Sequence, residues 1–230
     1  LALAVSATAT GLSQKQLSPS EVLQATAANG QKTLEALRGY TYYAELTLET
    51  VSPADTITGK YYSFSHISFD SQGNRQEKVF ENKSTLPKDV HIGTNSVNNM
   101  TRVYQFIITP ETLAQYEINY VGRERIDELN TYVFDVRPRV KMPNPEKSDE
   151  RFLRGRVWID DQDLQVVKVA GEAVPEQGDH RTPKFETYFQ NYDRFWFPAY
   201  MSADDDVRVG RRRTRVIARV RFTSYKKAGG

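Results

Sequence analysis

A close succession of short strand-like runs after one long helical stretch is the feature that most constrains the fold. Such runs, with alternating apolar and polar residues or a concentration of β-branched and aromatic residues, lie near 40–48, 57–69, 75–83, 101–108, 117–124, 131–139, 152–160, 164–174, 183–192, 195–202 and 213–225. Parallel strands need crossover connections of a dozen or more residues, and most of these connections are shorter. The sequence therefore predicts an antiparallel sheet.

One amphipathic helix is predicted over residues 19–38, before the first strand. Ser18 and Glu21 form a capping-box pattern with proline at the first helical position, and Gly39 ends the run. The residues at helical spacing, which we expect to be buried, are Leu23, Ala27, Gly30, Leu34 and Leu37. A short second helix is predicted from Pro110 to about Gln115 by the same proline rule.

A twisted sheet of this many strands tends to curl, and its concave side then has to be filled. The predicted helix and the loop segments 84–100 and 140–150 are the available filling. We therefore expect an α+β fold, a strongly curved antiparallel half-barrel closed by the N-terminal helix and by short helices or loops. The composition suits one domain, which we place at 18–227 with a short tail at 228–230.

The hairpin over residues 155–172 has apolar side chains on both faces. In its first strand Phe152 and Trp158 fall on one side, whereas Leu153, Val157 and Ile159 fall on the other. A strand that is apolar on both faces is covered on both faces. Two interpretations are open: a central strand in an ordinary core, or a strand with one face lining an apolar cavity.

Three stretches resemble a known group of proteins. They are YEINYVGRERIDELNTYVFDVRPR (116–139), RGRVWIDDQDLQVVKVAGEAVPE (154–176) and RFWFPAYMSADDDVRVGRRRTRVIARVRFTSYK (194–226). With the phrases GRVWID and FWFP, they resemble the bacterial outer-membrane lipoprotein-sorting-like proteins of the LolA-like superfamily. The resemblance implies a curved antiparallel sheet of about eleven strands closed by helices, with an apolar concavity that takes acyl chains.

Large residues on the presumed concave faces are the candidate ligand-binding residues. For each of them, plain core packing is the alternative. They are Leu46, Leu48, Tyr61, Phe106, Tyr120, Phe134, Trp158, Phe197 and Phe222.

The charged residues give no large uniform field. The formal net charge is +2, from 31 basic and 29 acidic residues, so binding of nucleic acid is not expected. One strand carries a basic stripe that could contact phosphates, lipid headgroups or an acidic partner, or could be a solvated face balanced by acids. The stripe comprises Arg213, Arg215, Arg219 and Arg221. The acidic run 204–206 is expected to pair with the basic run 211–213 across a turn.

Catalytic and metal-binding patterns are weak in this sequence. The histidines His66, His91 and His180 are far apart, and the acidic turn 160–163 lacks the glycine and terminal glutamate of a calcium loop. There is no phosphate-binding loop or nucleophile elbow, and the absence of cysteine excludes a thiol nucleophile and a lipid-bearing cysteine in this sequence. We expect no cofactor and no metal.

Residues 1–17 are expected to be the remnant of a signal peptide followed by a tail, because Ala7-Thr8-Ala9 resembles a cleavage site. The leading hypothesis is a soluble, monomeric, non-enzymatic periplasmic carrier or sensor of a lipid or lipoprotein acyl chain, which opens at an envelope membrane protein. One alternative is an envelope protein interaction module with a packed core. A second is an enzyme acting on an envelope lipid or glycan, with Asp127 and Glu128 as a carboxylate pair.

Overall fold

The computed structural model describes residues 17–88, 103, 105–148, 150–176, 183–209 and 212–229. Within them ten strands form one antiparallel sheet. The helices are α1 (Pro19–Leu37) and α2 (Pro110–Gln115). The strands are β1 (Tyr40–Val51), β2 (Ile57–Phe69), β3 (Arg75–Ser84), β4 (Tyr116–Ile126), β5 (Leu129–Pro138), β6 (Phe152–Asp160), β7 (Val166–Val174), β8 (Phe185–Tyr192), β9 (Phe195–Val209) and β10 (Arg212–Lys227).

The strand order is β3-β2-β1-β10-β9-β8-β7-β6-β5-β4, and every neighbouring pair is antiparallel. The sheet is open, with β3 and β4 at its edges. Strand β1 pairs with the last strand, β10, over its whole length, from Tyr40 opposite Lys227 to Val51 opposite Arg215. Two antiparallel meanders are thereby joined into one sheet, which confirms the predicted antiparallel arrangement. The strong curvature of a half-barrel stays a prediction.

The strand predicted over 101–108 is wrong for the part of it that the structure describes. Val103 is helical, Gln105 lies in a turn, and residues 106–109 have no regular structure. Val103, Phe106 and Ile108 are nevertheless buried in the main core. Their apolar run is a consequence of packing against other elements rather than of strand pairing, and periodicity alone does not distinguish the two in a short run.

Helix α1 begins as predicted. The Glu21 N–H donates to Ser18 Oγ at 3.3 Å, and the Ser18 N–H donates to Glu21 Oε2 at 2.8 Å, which completes a capping box. The buried face differs from the prediction, because Leu23 and Leu34 are only half-buried. It carries mostly small residues, which allow a close approach: Val22, Thr26, Ala27, Gly30, Thr33 and Leu37.

Three apolar clusters hold the fold. The main cluster joins α1 to the sheet and includes Val22, Ala27, Phe134, Val157 and Met201. A second, largely aromatic cluster lies around Leu37 at the end of α1, and its buried members are Leu37, Tyr40, Tyr42, Ile67, Phe197 and Phe222. A third, small cluster consists of the buried residues Val133, Trp158 and Val167. Among the described residues, no helix is both long and apolar enough to cross a membrane.

Gly30 marks the closest approach between α1 and the segment that precedes α2. A Cβ atom added at Gly30 would lie 2.0 Å from the backbone oxygen of Ile108 and 2.9 Å from Ile107 Cγ2. No side chain fits at this distance, so glycine is required by the close approach of a neighbouring backbone.

We predict that Gly30→Ala lowers the free energy of unfolding by about 2 kcal/mol, because overpacking forces the helix and the neighbouring backbone apart. Intrinsic helix propensity alone predicts the opposite, a gain of about 1 kcal/mol. Urea unfolding measures the difference, and Ala28→Gly on the exposed side of the same helix gives the propensity effect without the contact. A more stable Gly30→Ala variant would contradict the close packing.

Candidate functional site

The candidate site is the interior between α1, the sheet and the segment formed by residues 105–109. A cavity there has a volume of ≈ 10 Å³. This is about the room that one water molecule needs. The residues that line it are Thr26, Gly30, Thr33, Ile107, Ile108, Gln165, Val166, Phe189 and Trp196.

The polar side chains around the cavity are uncharged, and all but one of them are hydrogen-bonded. The Thr33 hydroxyl donates to Gln165 Oε1 at 2.8 Å and lies 3.0 Å from the Asn29 carbonyl oxygen. Gln165 Oε1 also accepts from the backbone N–H of Trp196 at 3.3 Å, and Gln165 Nε2 donates to the Arg194 carbonyl oxygen. The hydroxyl of Thr26, which is only 1% exposed, has no hydrogen-bond partner among the described residues.

The acidic turn between β6 and β7 lies beside the cavity and is stabilised by its own backbone. Asp160 Oδ2 accepts from the N–H groups of Gln162 and Asp163 at 3.1 and 2.7 Å. Asp163 Oδ2 accepts from Trp196 Nε1 at 2.8 Å, and Asn29 Nδ2 donates to the Asp163 carbonyl oxygen at 3.1 Å. The turn interpretation is confirmed. The part of the chain described here contains no group of three or more side chains suited to a metal ion.

The 105–109 segment is held mainly by buried side chains. Phe106 and Ile108 are 7% and 0% exposed. The Thr109 carbonyl oxygen accepts from the Leu113 N–H, and the Ile107 carbonyl oxygen accepts from Thr112 Oγ1 at 3.1 Å; both bonds lead to α2. In the described residues, no backbone hydrogen bond joins this segment to the sheet. Its contact with the sheet is therefore made by side chains, the apolar ones together with Gln105 beside Tyr42, and is not part of a β-ladder.

Five of the nine predicted ligand-binding residues come together around the main cluster. Leu48, Phe106 and Phe134 are buried in it, and Tyr61 packs against it. Tyr120 lies on the edge strand β4, 43% exposed, with its ring centroid 5.4 Å from that of Phe134. Phe106 belongs to the 105–109 segment and not to a strand, so it faces the sheet rather than forming part of it.

The remaining four predicted residues lie elsewhere. Phe197 and Phe222 belong to the aromatic cluster at the end of α1. Leu46 is half-buried on β1, between Ser63 and Val220.

Trp158 is the fourth and lies on the opposite face of the sheet from Phe134. Phe134 pairs with Val157, whose side chain points to the other face from that of its neighbour Trp158. Trp158 Nε1 donates to Glu124 Oε2 at 2.9 Å, and Lys168 Nζ lies 4.8 Å from the ring centroid. Trp158 and Phe134 therefore cannot line one cavity.

The predicted basic stripe lies on one face of β10, interleaved with acids. Arg215 donates from Nε and Nη2 to Asp204 at 2.7 and 2.8 Å and from Nη1 to Asp55 at 2.9 Å. Arg219 Nη1 lies 3.8 Å from Glu49 Oε2. The hydrogen bonds from Arg215 lower the pKa of Asp204. Arg213 and Arg221 are exposed.

The predicted pairing of the acidic run 204–206 with the basic run 211–213 is wrong where the structure describes it. The register places Arg213 opposite Arg208 and Arg215 opposite Asp206, and the Asp204 side chain binds Arg215. The reason is that β9 continues to Val209, so the acidic run lies inside the strand rather than beside the turn. His91 and His180 are outside the described residues, and His66 packs against the Tyr43 ring.

Sequence reasoning missed the residues around the cavity, in particular Thr26, Thr33 and Gln165. The available signal was Gly30 on the buried side of a helix, because a buried glycine indicates that another backbone approaches closely. No sequence pattern shows that residues 105–109 are the partner, since more than seventy positions separate them from Gly30.

Tyr116 connects the 105–109 segment to the sheet. Its hydroxyl oxygen accepts from the Leu153 N–H at 3.1 Å, and its ring centroid lies 5.1 Å from that of Phe106. Burial raises the pKa of Tyr116 to about 12, with the Leu153 N–H acting in the opposite direction. The neutral phenol is thus the form that the folded protein stabilises.

We predict that Tyr116→Phe lowers the free energy of unfolding at pH 7 by about 2 kcal/mol, because the buried Leu153 N–H loses its acceptor. The parent should lose stability as pH rises from about 10 towards 12, since the unfolded chain releases the Tyr116 proton first. The variant should lose less over the same interval. Urea unfolding at a series of pH values measures both effects, with Tyr120→Phe as an exposed control; parallel curves for parent and Tyr116→Phe would contradict this assignment.

Comparison with known proteins gives similarity at the level of fold. No model of a protein family matches the sequence, and no curated protein matches it. Among solved structures, the chain is similar to a DUF1329 family protein from Desulfovibrio piger, with 10% identity, a TM-score of 0.43 and coverage of 89% of this chain and 94% of that one.

A LolA superfamily protein from Nitrosomonas europaea gives 11% identity, a TM-score of 0.39 and coverage of 89% and 94%. The lipoprotein LppX from Mycobacterium tuberculosis gives 9% identity, a TM-score of 0.29 and coverage of 93% and 99%. Similarity at these scores transfers neither a ligand nor a partner to this chain.

Proposed function

We propose that this protein is a non-enzymatic carrier or sensor of an apolar ligand, a lipid or the acyl chain of a lipoprotein. In the ligand-free form, the 105–109 segment occupies the space that the ligand takes when it binds. The observation that supports this proposal is the way in which the segment is held. It is buried by its side chains and, within the described residues, has no ladder hydrogen bonds to the sheet. Such a segment can be exchanged for a ligand without breaking the sheet.

The free-energy cost of withdrawing the 105–109 segment and the free-energy gain from burying an acyl chain are of the same order. Burying one large apolar side chain stabilises by about 2 kcal/mol, so withdrawal of Phe106, Ile107 and Ile108 costs about 6 kcal/mol. An acyl chain of about 16 carbons gains about 12 kcal/mol when it leaves water. Ligand burial can therefore offset displacement of the segment and leave a moderate net affinity.

The small size of the cavity beside α1 requires such a displacement. The cavity of ≈ 10 Å³ holds no hydrocarbon chain, so a ligand at this place needs the 105–109 segment to move. The proposed opening moves the 105–109 segment away from Gly30. As a carrier, the protein would work in the periplasm or an equivalent envelope compartment and open at a membrane protein partner.

A packed interaction module is the second candidate, and the same small cavity favours it. Exposed apolar side chains on the edge strand β3, Val79 and Phe80 at 51% and 53% exposure, would serve such a module. Asp127 and Glu128, the carboxylates considered for an enzyme, are both exposed in the turn between β4 and β5.

Native mass spectrometry of the protein purified from a bacterial host tests the carrier directly. We expect a population with a bound lipid, or, after delipidation, saturable uptake of the uncharged probe N-phenyl-1-naphthylamine and its displacement by hexadecane. A protein that is empty as purified and takes up neither compound is the packed module and not a carrier.

Phe106 and Phe152 offer a matched pair for testing the role of the 105–109 segment. Both are 7% exposed, both belong to the main cluster, and their ring centroids lie 5.1 and 6.2 Å from that of Tyr116. Phe106 belongs to the segment, whereas Phe152 belongs to β6.

We predict that Phe106→Ala and Phe152→Ala each lower the free energy of unfolding by about 3–5 kcal/mol, because each leaves a hole in the core. Only Phe106→Ala should raise the affinity for N-phenyl-1-naphthylamine. The 105–109 segment competes with the probe for the same space, and this substitution weakens the packing of the segment there. Probe titration and urea unfolding measure the two effects, and the Leu variants of both residues replace any Ala variant that does not fold. Equal probe affinity of the two variants would contradict displacement of the segment.

A further inference from the structure

The cavity beside α1 is lined by a buried hydroxyl that has no partner among the described residues. Thr26 lies on the buried side of α1, is 1% exposed and lines the cavity. Its Oγ1 has no hydrogen-bond partner among the described residues. A buried polar group without a partner costs about 1–3 kcal/mol, so a group that hydrogen-bonds to it is favoured.

The other polar atoms around the cavity define what kind of group fits. The Thr33 hydroxyl is committed as a donor, to Gln165 Oε1 or the Asn29 carbonyl oxygen, and keeps lone pairs that can accept. Both nitrogen and oxygen of the Gln165 amide are in use. The cavity thus offers the Thr26 hydroxyl as a free donor and the hydroxyl oxygens of Thr26 and Thr33 as acceptors. Its apolar walls are formed by Ile107, Ile108 and Val166.

No charged side chain lines this cavity in the described part of the chain. A carboxylate in the surrounding network, Asp163, accepts a hydrogen bond from Trp196 Nε1. An ionised headgroup would lose its hydration here without gaining a counter-charge, which is unfavourable by several kcal/mol. An uncharged hydroxyl or ester loses much less and recovers a hydrogen bond.

We propose that the Thr26 and Thr33 hydroxyls form a subsite for the uncharged polar end of the ligand, so that the preferred ligand is a neutral long-chain alcohol or ester and not a lipid with a charged group at this position. This inference rests on the proposed function, because the hydrocarbon part needs the place of the 105–109 segment. Thr26 Oγ1 donates to the ester carbonyl or alcohol oxygen of the ligand. Thr33 Oγ1 accepts from an alcohol ligand.

Competition binding with ligands of one chain length tests the subsite. N-phenyl-1-naphthylamine is displaced from the delipidated full chain by 1-hexadecanol, methyl palmitate, palmitate at pH 8, or hexadecane. The variants are Thr26→Val, which removes the hydroxyl at almost constant volume, and Thr187→Val as the matched control. Thr187 is 0% exposed and its hydroxyl also has no partner among the described residues, but it does not line the cavity.

We expect the alcohol and the ester to bind the parent more tightly than palmitate does. Thr26→Val should weaken both by about fivefold to tenfold, the effect of one hydrogen bond, and leave hexadecane unchanged. Thr187→Val should change none of the four affinities. Thermal unfolding confirms that both variants are folded, and both should be as stable as the parent or more stable, since each loses an unpaired hydroxyl.

The subsite is overturned if the parent binds palmitate as tightly as the neutral ligands, or if Thr26→Val leaves the affinity for the alcohol unchanged. Neither result contradicts the proposed carrier function. Equal weakening by Thr187→Val also overturns it, because the effect is then not local to the cavity. If none of the four compounds, hexadecane included, displaces the probe or binds, the proposed function fails and the subsite fails with it.

Discussion

The close contact between α1 and the 105–109 segment is the constraint on which the rest of the structure depends. A helix whose buried face consists of Val22, Thr26, Ala27, Gly30 and Thr33 is narrow, and it lets the Ile108 backbone approach within a distance that excludes any side chain at Gly30. The segment thereby fills the space between the helix and the sheet. Its Phe106 and Ile108 side chains are part of the main core, and the cavity between the segment and α1 has room for about one water molecule.

Two separate clusters explain why the hairpin of β6 and β7 is apolar on both faces. Val157 and Val169 face the main cluster with α1, while Trp158 and Val167 form a separate cluster on the other face with Val133. Lys168 lies over the Trp158 ring on that second face and forms an ion pair with Glu186 at 3.2 Å. The outer face is thus covered by its own aromatic and charged side chains, and the apolar character there indicates packing and not a second ligand cavity.

A binding site that is filled by the protein's own side chains differs from a vacant pocket in its ligand selectivity. A vacant apolar pocket binds any hydrocarbon that fits, whereas a filled one selects ligands whose burial offsets the displacement of the filling segment. The hydroxyls of Thr26 and Thr33 then add a preference for the uncharged end of such a ligand. Arg215 of the basic stripe is engaged by Asp204 and Asp55 on the sheet face that carries the stripe.

Local patterns in the sequence determined the antiparallel sheet, the capping box at Ser18 and Glu21, and the short helix after Thr109, because each depends on residues close in the chain. They did not distinguish the apolar run 101–108 from a strand, since its described residues are buried against the sheet and a helix more than sixty residues away. They also placed Trp158 with Phe134, although the pairing of β5 with β6 puts the two on opposite faces. Only the tertiary structure decided where Gly30, Thr26 and the 105–109 segment meet, because that meeting is a contact between distant parts of the chain and leaves no periodicity in the sequence.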